Sequence, residues 1–249
     1  MSIKDKILKL ATDQDVRNLL TKGFLALIIK VGAAGFTFLM FVLLSNATSQ
    51  DEYGRFAIGF SLAVTLSTVA GLGLGTAVLR YYPPYQAQKQ TPLSNGFLRS
   101  ATLASICIPL LFSSALVAAY FVMGWRQPSA NIAYLLAAAI LVPVMTLGEF
   151  AASALRAFGY TVASMAPRDI IWRVAGCAFA LFAVSSSGTT SFTILTFLAI
   201  SLLAIVMWQF WLARAYFKPA LNAASTTNDY NDWTRTIWPM WGASTLYAF

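Results

Sequence analysis

Six runs of about twenty predominantly apolar residues, separated by short polar loops, constrain this chain more than any other feature of it. A helix needs about 20 apolar residues, at 1.5 Å each, to cross the hydrocarbon layer of a bilayer. The runs lie near 24–44, 56–78, 101–124, 132–154, 168–186 and 191–213, and a seventh begins near Ile237 and breaks off at Phe249. The spacing predicts an all-α fold: a polytopic membrane helix bundle of six complete transmembrane helices plus the start of a seventh. The corresponding divisions are a basic N-terminal segment (1–23), a six-helix unit (24–213), a polar loop (214–236) and a truncated seventh helix (237–249).

Composition supports that frame. Charged residues make up 10% of the chain and hydrophobic residues 58%, whereas a soluble domain carries about 25% charged residues. The net charge of +8 would suit nucleic acid, but no soluble basic patch with interleaved aromatics is present. Membrane topology accounts for it instead, because Lys and Arg accumulate in cytoplasmic loops. Cys107 and Cys177 both fall inside apolar runs and imply neither a disulfide nor a metal framework. The chain has no histidine, so the commonest general base and zinc ligand are both missing.

The loop charges set an orientation. Thirteen Lys and Arg fall in the N-terminal segment and alternate loops: Lys4, Lys6, Lys9, Arg17, Lys22, Arg80, Lys89, Arg99, Arg156, Arg168, Arg214, Lys218 and Arg235. The intervening loops carry two, Arg55 and Arg126. This places the N-terminus in the cytoplasm of a bacterial inner-membrane protein. Ile3, Ile7 and Leu10 recur at helical spacing among lysines, which fits either a helix on the membrane surface or a frayed basic tail. Tyr120 and Trp125 mark one interface, and Trp208, Trp211 and Tyr216 the other. Pro109 and Pro143 lie within spans, where neighbouring helices must satisfy the backbone groups that a proline frees.

Three charges lie inside the runs rather than at their ends: Lys30, Glu149 and Arg173. Each costs about 2.5–3.5 kcal/mol at a helix centre, so each should face protein or water. Lys30 lies about 9 Å into its helix and Arg173 about 8 Å, with Glu149 at a comparable depth from the same side. Thr146, Glu149, Ser153 and Arg156 share one helix face, as do Asp169, Arg173 and Gly176. A structural explanation pairs Glu149 with Arg173, or Asp169 with Arg173 one turn away. Lys30 has no acid in its own run. It either snorkels to the interface or meets an anionic group such as a diphosphate.

Gly71, Gly73 and Gly75 do not form a nucleotide loop: the spacing is wrong, no strand precedes them and no P-loop lysine follows. They suit close helix approach or a loosened helix end. No nucleophile elbow occurs, and without histidine the usual Ser triad is unavailable. An enzyme is not expected, and no cofactor is implied.

Three stretches carry a resemblance. Gln50-Asp51-Glu52-Tyr53-Gly54-Arg55-Phe56 opens the second run, Gly71 to Tyr81 closes it, and Leu155-Arg156-Ala157-Phe158-Gly159 joins the fourth and fifth runs. In order, spacing and topology the whole chain resembles the polysaccharide (O-antigen) flippases of the multidrug/oligosaccharidyl-lipid/polysaccharide exporter superfamily. It departs from them in having Ser49-Gln50 where Gly-Pro usually precedes E-Y-G, and in reaching only the start of a second six-helix lobe. The resemblance implies a MATE-like two-lobe fold working by alternating access. It also implies a polyprenyl-diphosphate-linked oligosaccharide as substrate, moved from the cytoplasmic to the periplasmic leaflet. Partners would be membrane lipids, the lipid-linked oligosaccharide and the glycosyltransferases or polymerase of a polysaccharide gene cluster. Cavity or cavity-mouth candidates are Lys30, Arg80, Glu149, Arg156 and Arg173, of which only Arg80 and Arg156 fall within the matched stretches. Two alternatives stand beside this: a cation-coupled multidrug exporter, and a non-transporting scaffold of a glycan-assembly complex. One lobe alone is not expected to enclose a transport pathway.

Overall fold

Inside a membrane each backbone N–H and C=O must find its partner within the protein, and the helix is the local solution. The computed structural model describes residues 14–126, 132–184, 188–222, 227 and 229–248. The helices are α1 (Gln14–Ala47), α2 (Gln50–Ala70), α3 (Leu74–Ala87), α4 (Thr91–Arg126), α5 (Tyr134–Ala157) and α6 (Thr161–Ala166). A π-helical turn (Pro167–Ile171) then leads into α7 (Trp172–Val184), followed by α8 (Ser191–Leu212), α9 (Arg214–Asn222) and α10 (Tyr230–Ala248). No strand forms among the described residues, and the all-α class is as expected. The basic N-terminal positions Lys4 to Leu10 lie outside the described residues. Helix α9 and the start of α10 fall within 214–236.

The count of spans needs correcting. Among the described residues, five stretches are long and apolar enough to cross a membrane: Gly23–Ala47, Gln50–Ala87, Thr91–Trp125, Tyr134–Ala157 and Ser191–Leu212. Together they make a multi-pass membrane protein. The run expected near 168–186 is instead assembled from α6, the π turn and α7. Pro167 is the reason: it has no N–H to give to Ala163, so the ordinary ladder fails there. The Trp172 N–H bonds back to the Pro167 carbonyl, five residues away. From α8, the wholly buried Gln209 donates its amide to the carbonyls of Ala163 (3.3 Å) and Ser164 (3.0 Å). Pro143 is treated alike, since Ser113 of α4 donates to the Ala139 carbonyl that Pro143 cannot serve.

The second expected run is also interrupted. At its glycine-rich end Leu72 (φ 47°) and Gly73 (φ 65°) turn left-handed and separate α2 from α3. Thr146 of α5 donates to the Ser67 carbonyl at the end of α2 (3.2 Å), and Trp241 Nε1 of α10 donates to that of Val69 (2.9 Å).

Helix α5 is the mast of the bundle. Of its apolar window 67% is buried, against at most 39% for the other spanning stretches. Its alanines let α2, α3, α4 and α8 approach closely. At one end an aromatic cluster ties α3, α4, α9 and α10 together, with Phe97 against Trp233 (5.3 Å) and Tyr81 bonded to the Asp232 carboxylate (3.0 Å). At the other end Glu52 accepts a bond from the first N–H of α8, Ser191 (2.6 Å), and holds Arg55 (2.6 Å). An acid in the first turn of α2 thus also caps the start of α8.

Gly73 is a test of this architecture. A Cβ there would sit 3.1 Å from the Trp241 nitrogen on a left-handed backbone, a conformation that costs a non-glycine residue about 1–3 kcal/mol. Gly73→Ala is expected to lower the thermal unfolding midpoint in detergent, followed by circular dichroism. Gly35→Ala, where a Cβ meets nothing within 4 Å, should leave the midpoint unchanged or raise it.

Candidate functional site

The break after α2, the polar face of α5 and the π turn converge on one cavity of about 410 Å³. Its wall includes Thr37 of α1, Thr146 and Glu149 of α5, Arg168 of the π turn, and Trp172 and Arg173 of α7. The charges around it form two linked groups. Glu149 is paired with Arg168 and, at 3.8 Å, with Arg156, whose guanidinium also donates to Ser153 (2.8 Å). Asp169 is paired with Lys30 at 2.7 Å and with Arg173 at 3.5 Å. Arg173 reaches the Thr37 hydroxyl and the carbonyls of Arg168 (3.2 Å) and Asp169 (2.9 Å).

The π turn makes this possible. It places Arg168 toward α5 and Asp169 toward α1, so one irregular turn bonds to helices on both sides. Gly75 lets α3 approach the same face of α5, because a Cβ there would lie 2.8 Å from Ser153 Oγ.

Among the described residues the cluster holds four cations (Lys30, Arg156, Arg168, Arg173) and two carboxylates (Glu149, Asp169), an excess of two positive charges. The ends differ in exposure: the Lys30 side chain is 61% exposed and that of Asp169 is 8% exposed. No three carboxylates or cysteines converge among the described residues in a way that could hold a metal ion.

Of the five residues singled out from sequence, Glu149 and Arg173 line the cavity, while Lys30 and Arg156 join it through ion pairs. Arg80 stands apart, exposed on α3 with its guanidinium 5.9 Å from the centre of the Tyr81 ring. Of the two pairings expected for Arg173, the one with Asp169 a turn away forms and the one with Glu149 does not: Glu149 takes Arg168 instead. Sequence reasoning placed Arg168 at a loop edge because it assumed regular helix from 168 onward, whereas the π turn carries it inward. The signal was the Pro167-Arg168-Asp169 triplet, a proline followed by two charges beside an apolar run.

No family model and no curated protein matches the sequence. In structure the chain is similar to a MOP superfamily transporter from Pyrococcus furiosus, one described for the reverse polarity of its binding pocket. The TM-score is 0.61 at 13% identity, over 88% of this chain and 50% of that one. At that identity the likeness is one of fold, and the chain spans about half the length of that transporter.

The ion pairs separate two contributions to stability. Asp169→Asn leaves the half-buried Arg173 without its carboxylate and is expected to lower the unfolding free energy by about 3 kcal/mol. Lys30→Gln leaves Arg173 as a partner for the Asp169 carboxylate and should cost less than Asp169→Asn. Denaturant titration in mixed micelles measures both.

Proposed function

We propose that this chain is one lobe of a membrane transporter, a flippase for a polyprenyl-diphosphate-linked oligosaccharide. It carries its substrate from the cytoplasmic to the periplasmic leaflet of the bacterial inner membrane for surface polysaccharide synthesis. The observation that carries this reading is the excess positive charge around a cavity built from membrane-spanning helices. A diphosphate presents several strong acceptor oxygens, which ammonium and guanidinium groups bind with charge-assisted hydrogen bonds. Lys30 has most of its side chain free of protein, and Arg156 stands at the end of the α5 polar face. The fold likeness to half of a MOP transporter fits two lobes enclosing a pathway.

The same geometry disfavours a cation-coupled multidrug exporter. Such a protein needs an intramembrane carboxylate able to take up a proton or sodium. Here Glu149 is held between Arg168 and Arg156, and Asp169 between Lys30 and Arg173, so each acid already has cationic partners. A lipid-linked oligosaccharide also implies glycosyltransferases and a polymerase working beside the transporter.

Binding to the purified chain in nanodiscs tests this. Undecaprenyl diphosphate should bind, and undecaprenol only weakly. Lys30→Ala should weaken the diphosphate by about tenfold, the worth of roughly 1.4 kcal/mol from one charge-assisted bond. Equal binding of diphosphate and alcohol, or indifference to Lys30, would overturn the reading.

A further inference from the structure

A second recess lies beside the charged cavity. It is a groove of about 290 Å³ between α4, α10 and the start of α3, floored by Ala101 and Ala104 and walled by Phe97, Trp233, Ile237 and Trp238. This is near the lower end of small-molecule pockets, about 300 Å³. Most of its polar side-chain groups are partnered inside the protein. Trp233 Nε1 donates to Tyr85 (3.0 Å), Trp241 Nε1 to the Val69 carbonyl (2.9 Å) and Thr234 to the Tyr230 carbonyl (2.6 Å), while the hydroxyls of Ser100 and Tyr230 lie 3.4 Å apart. These pairs leave an apolar slot between flat rings.

The groove and the cavity share a wall. Gly71, Gly73 and Gly75 line the cavity, while the intervening Leu72 and Leu74 line the groove. The adjoining helices divide in the same way. Ser105 of α4 and Ser244 of α10 face the cavity, whereas Ala104 and Trp241 face the groove. Ser105 Oγ is buried without a partner, so the cavity side still has a donor to offer. One short stretch of backbone, without Cβ atoms on its polar side, separates a cationic compartment from an apolar one.

Resting on the function proposed above, we infer that the groove binds the hydrocarbon chain of the same lipid whose anionic head occupies the cavity. The occupant is an amphiphile because the two compartments differ in chemistry yet abut. Its tail belongs in the groove because the slot is small-floored, ring-walled and almost free of polar surface. The alternating Gly-Leu stretch from Gly71 to Gly75 is then a partition: its leucines meet the chain and its glycines leave room for the head.

The test uses the purified chain in nanodiscs with three probes: inorganic diphosphate, geranylgeranyl diphosphate and a geranylgeranyl diphosphate bearing a diazirine at the chain end. Geranylgeranyl diphosphate should bind at least about tenfold tighter than inorganic diphosphate. Ala104→Phe fills the slot and should remove that gain, leaving inorganic diphosphate within roughly twofold of its original affinity. Trp238→Ala, a change at an exposed ring that adds no bulk, should reduce the gain several-fold and guards against misfolding of the first variant. Irradiation should label α4 and α10. If both variants keep the full gain, or the label falls elsewhere, the groove is not the tail site and the cavity reading stands. If neither diphosphate binds the unmodified chain, the function proposed above fails and this inference fails with it.

Discussion

Hydrocarbon offers a backbone carbonyl nothing to bond with, and this chain breaks its helices at membrane depth in several places. Three of these places receive a side-chain donor from another helix. Ser113 serves the carbonyl of Ala139 that Pro143 cannot. Gln209 serves those of Ala163 and Ser164 before Pro167, and at the end of α2 Thr146 and Trp241 add a second donor to the Ser67 and Val69 carbonyls, which already accept the N–H groups of Gly71 and Leu72. An unmet buried polar group costs about 1–3 kcal/mol, so these bonds do more than decorate the packing. They set which helix faces which, because each requires its donor at one height and one rotation.

The cavity follows from the same breaks. Had α2 run on without interruption through Gly71–Gly73, its next turn would occupy the space against α5 and α10. Had the stretch through Pro167 kept α-helical register, Arg168 and Asp169 would be offset from their present directions toward α5 and α1. Irregular backbone in a membrane protein is tolerated where it is buried in protein or lines a polar space, and both conditions hold here: Leu72 and Gly73 sit under α10, and the π turn carries charges into the cavity wall.

Much of this was legible in the sequence. The all-α membrane class follows from apolar runs of spanning length, and the shared depth of Lys30, Glu149 and Arg173 pointed to one polar layer. Depth follows from counting residues at a fixed rise, which survives small errors in boundaries. Azimuth does not. The pairing of Glu149 with Arg168 rather than Arg173 depends on a single extra residue in one turn, and no periodicity assumed in advance contains it. Partners on different helices were equally hidden. Asp169 and Lys30 are separated by most of the chain yet lie 2.7 Å apart, and Glu52 bonds a helix that starts at Ser191. The Gly-Leu alternation was visible as spacing, but its two faces acquire meaning only once α4 and α10 are placed on either side.

The charge arrangement has its own logic. Four cations gathered in one low-dielectric site would repel strongly, since unit charges 4 Å apart interact by about 4 kcal/mol even at an effective dielectric of 20. Glu149 and Asp169 relieve that repulsion, because each lies between two cations. Two carboxylates do not cancel four positive charges, however. The remaining excess can be satisfied by an anion entering from outside, and Lys30, whose side chain is the most exposed of the four cations, is the one best placed to turn from Asp169 toward it. A neutral cluster would be more stable by itself and would have no reason to attract a phosphate. Keeping two acids where four would balance the site leaves the protein less than fully neutralised at the place where the proposed anionic head group would sit.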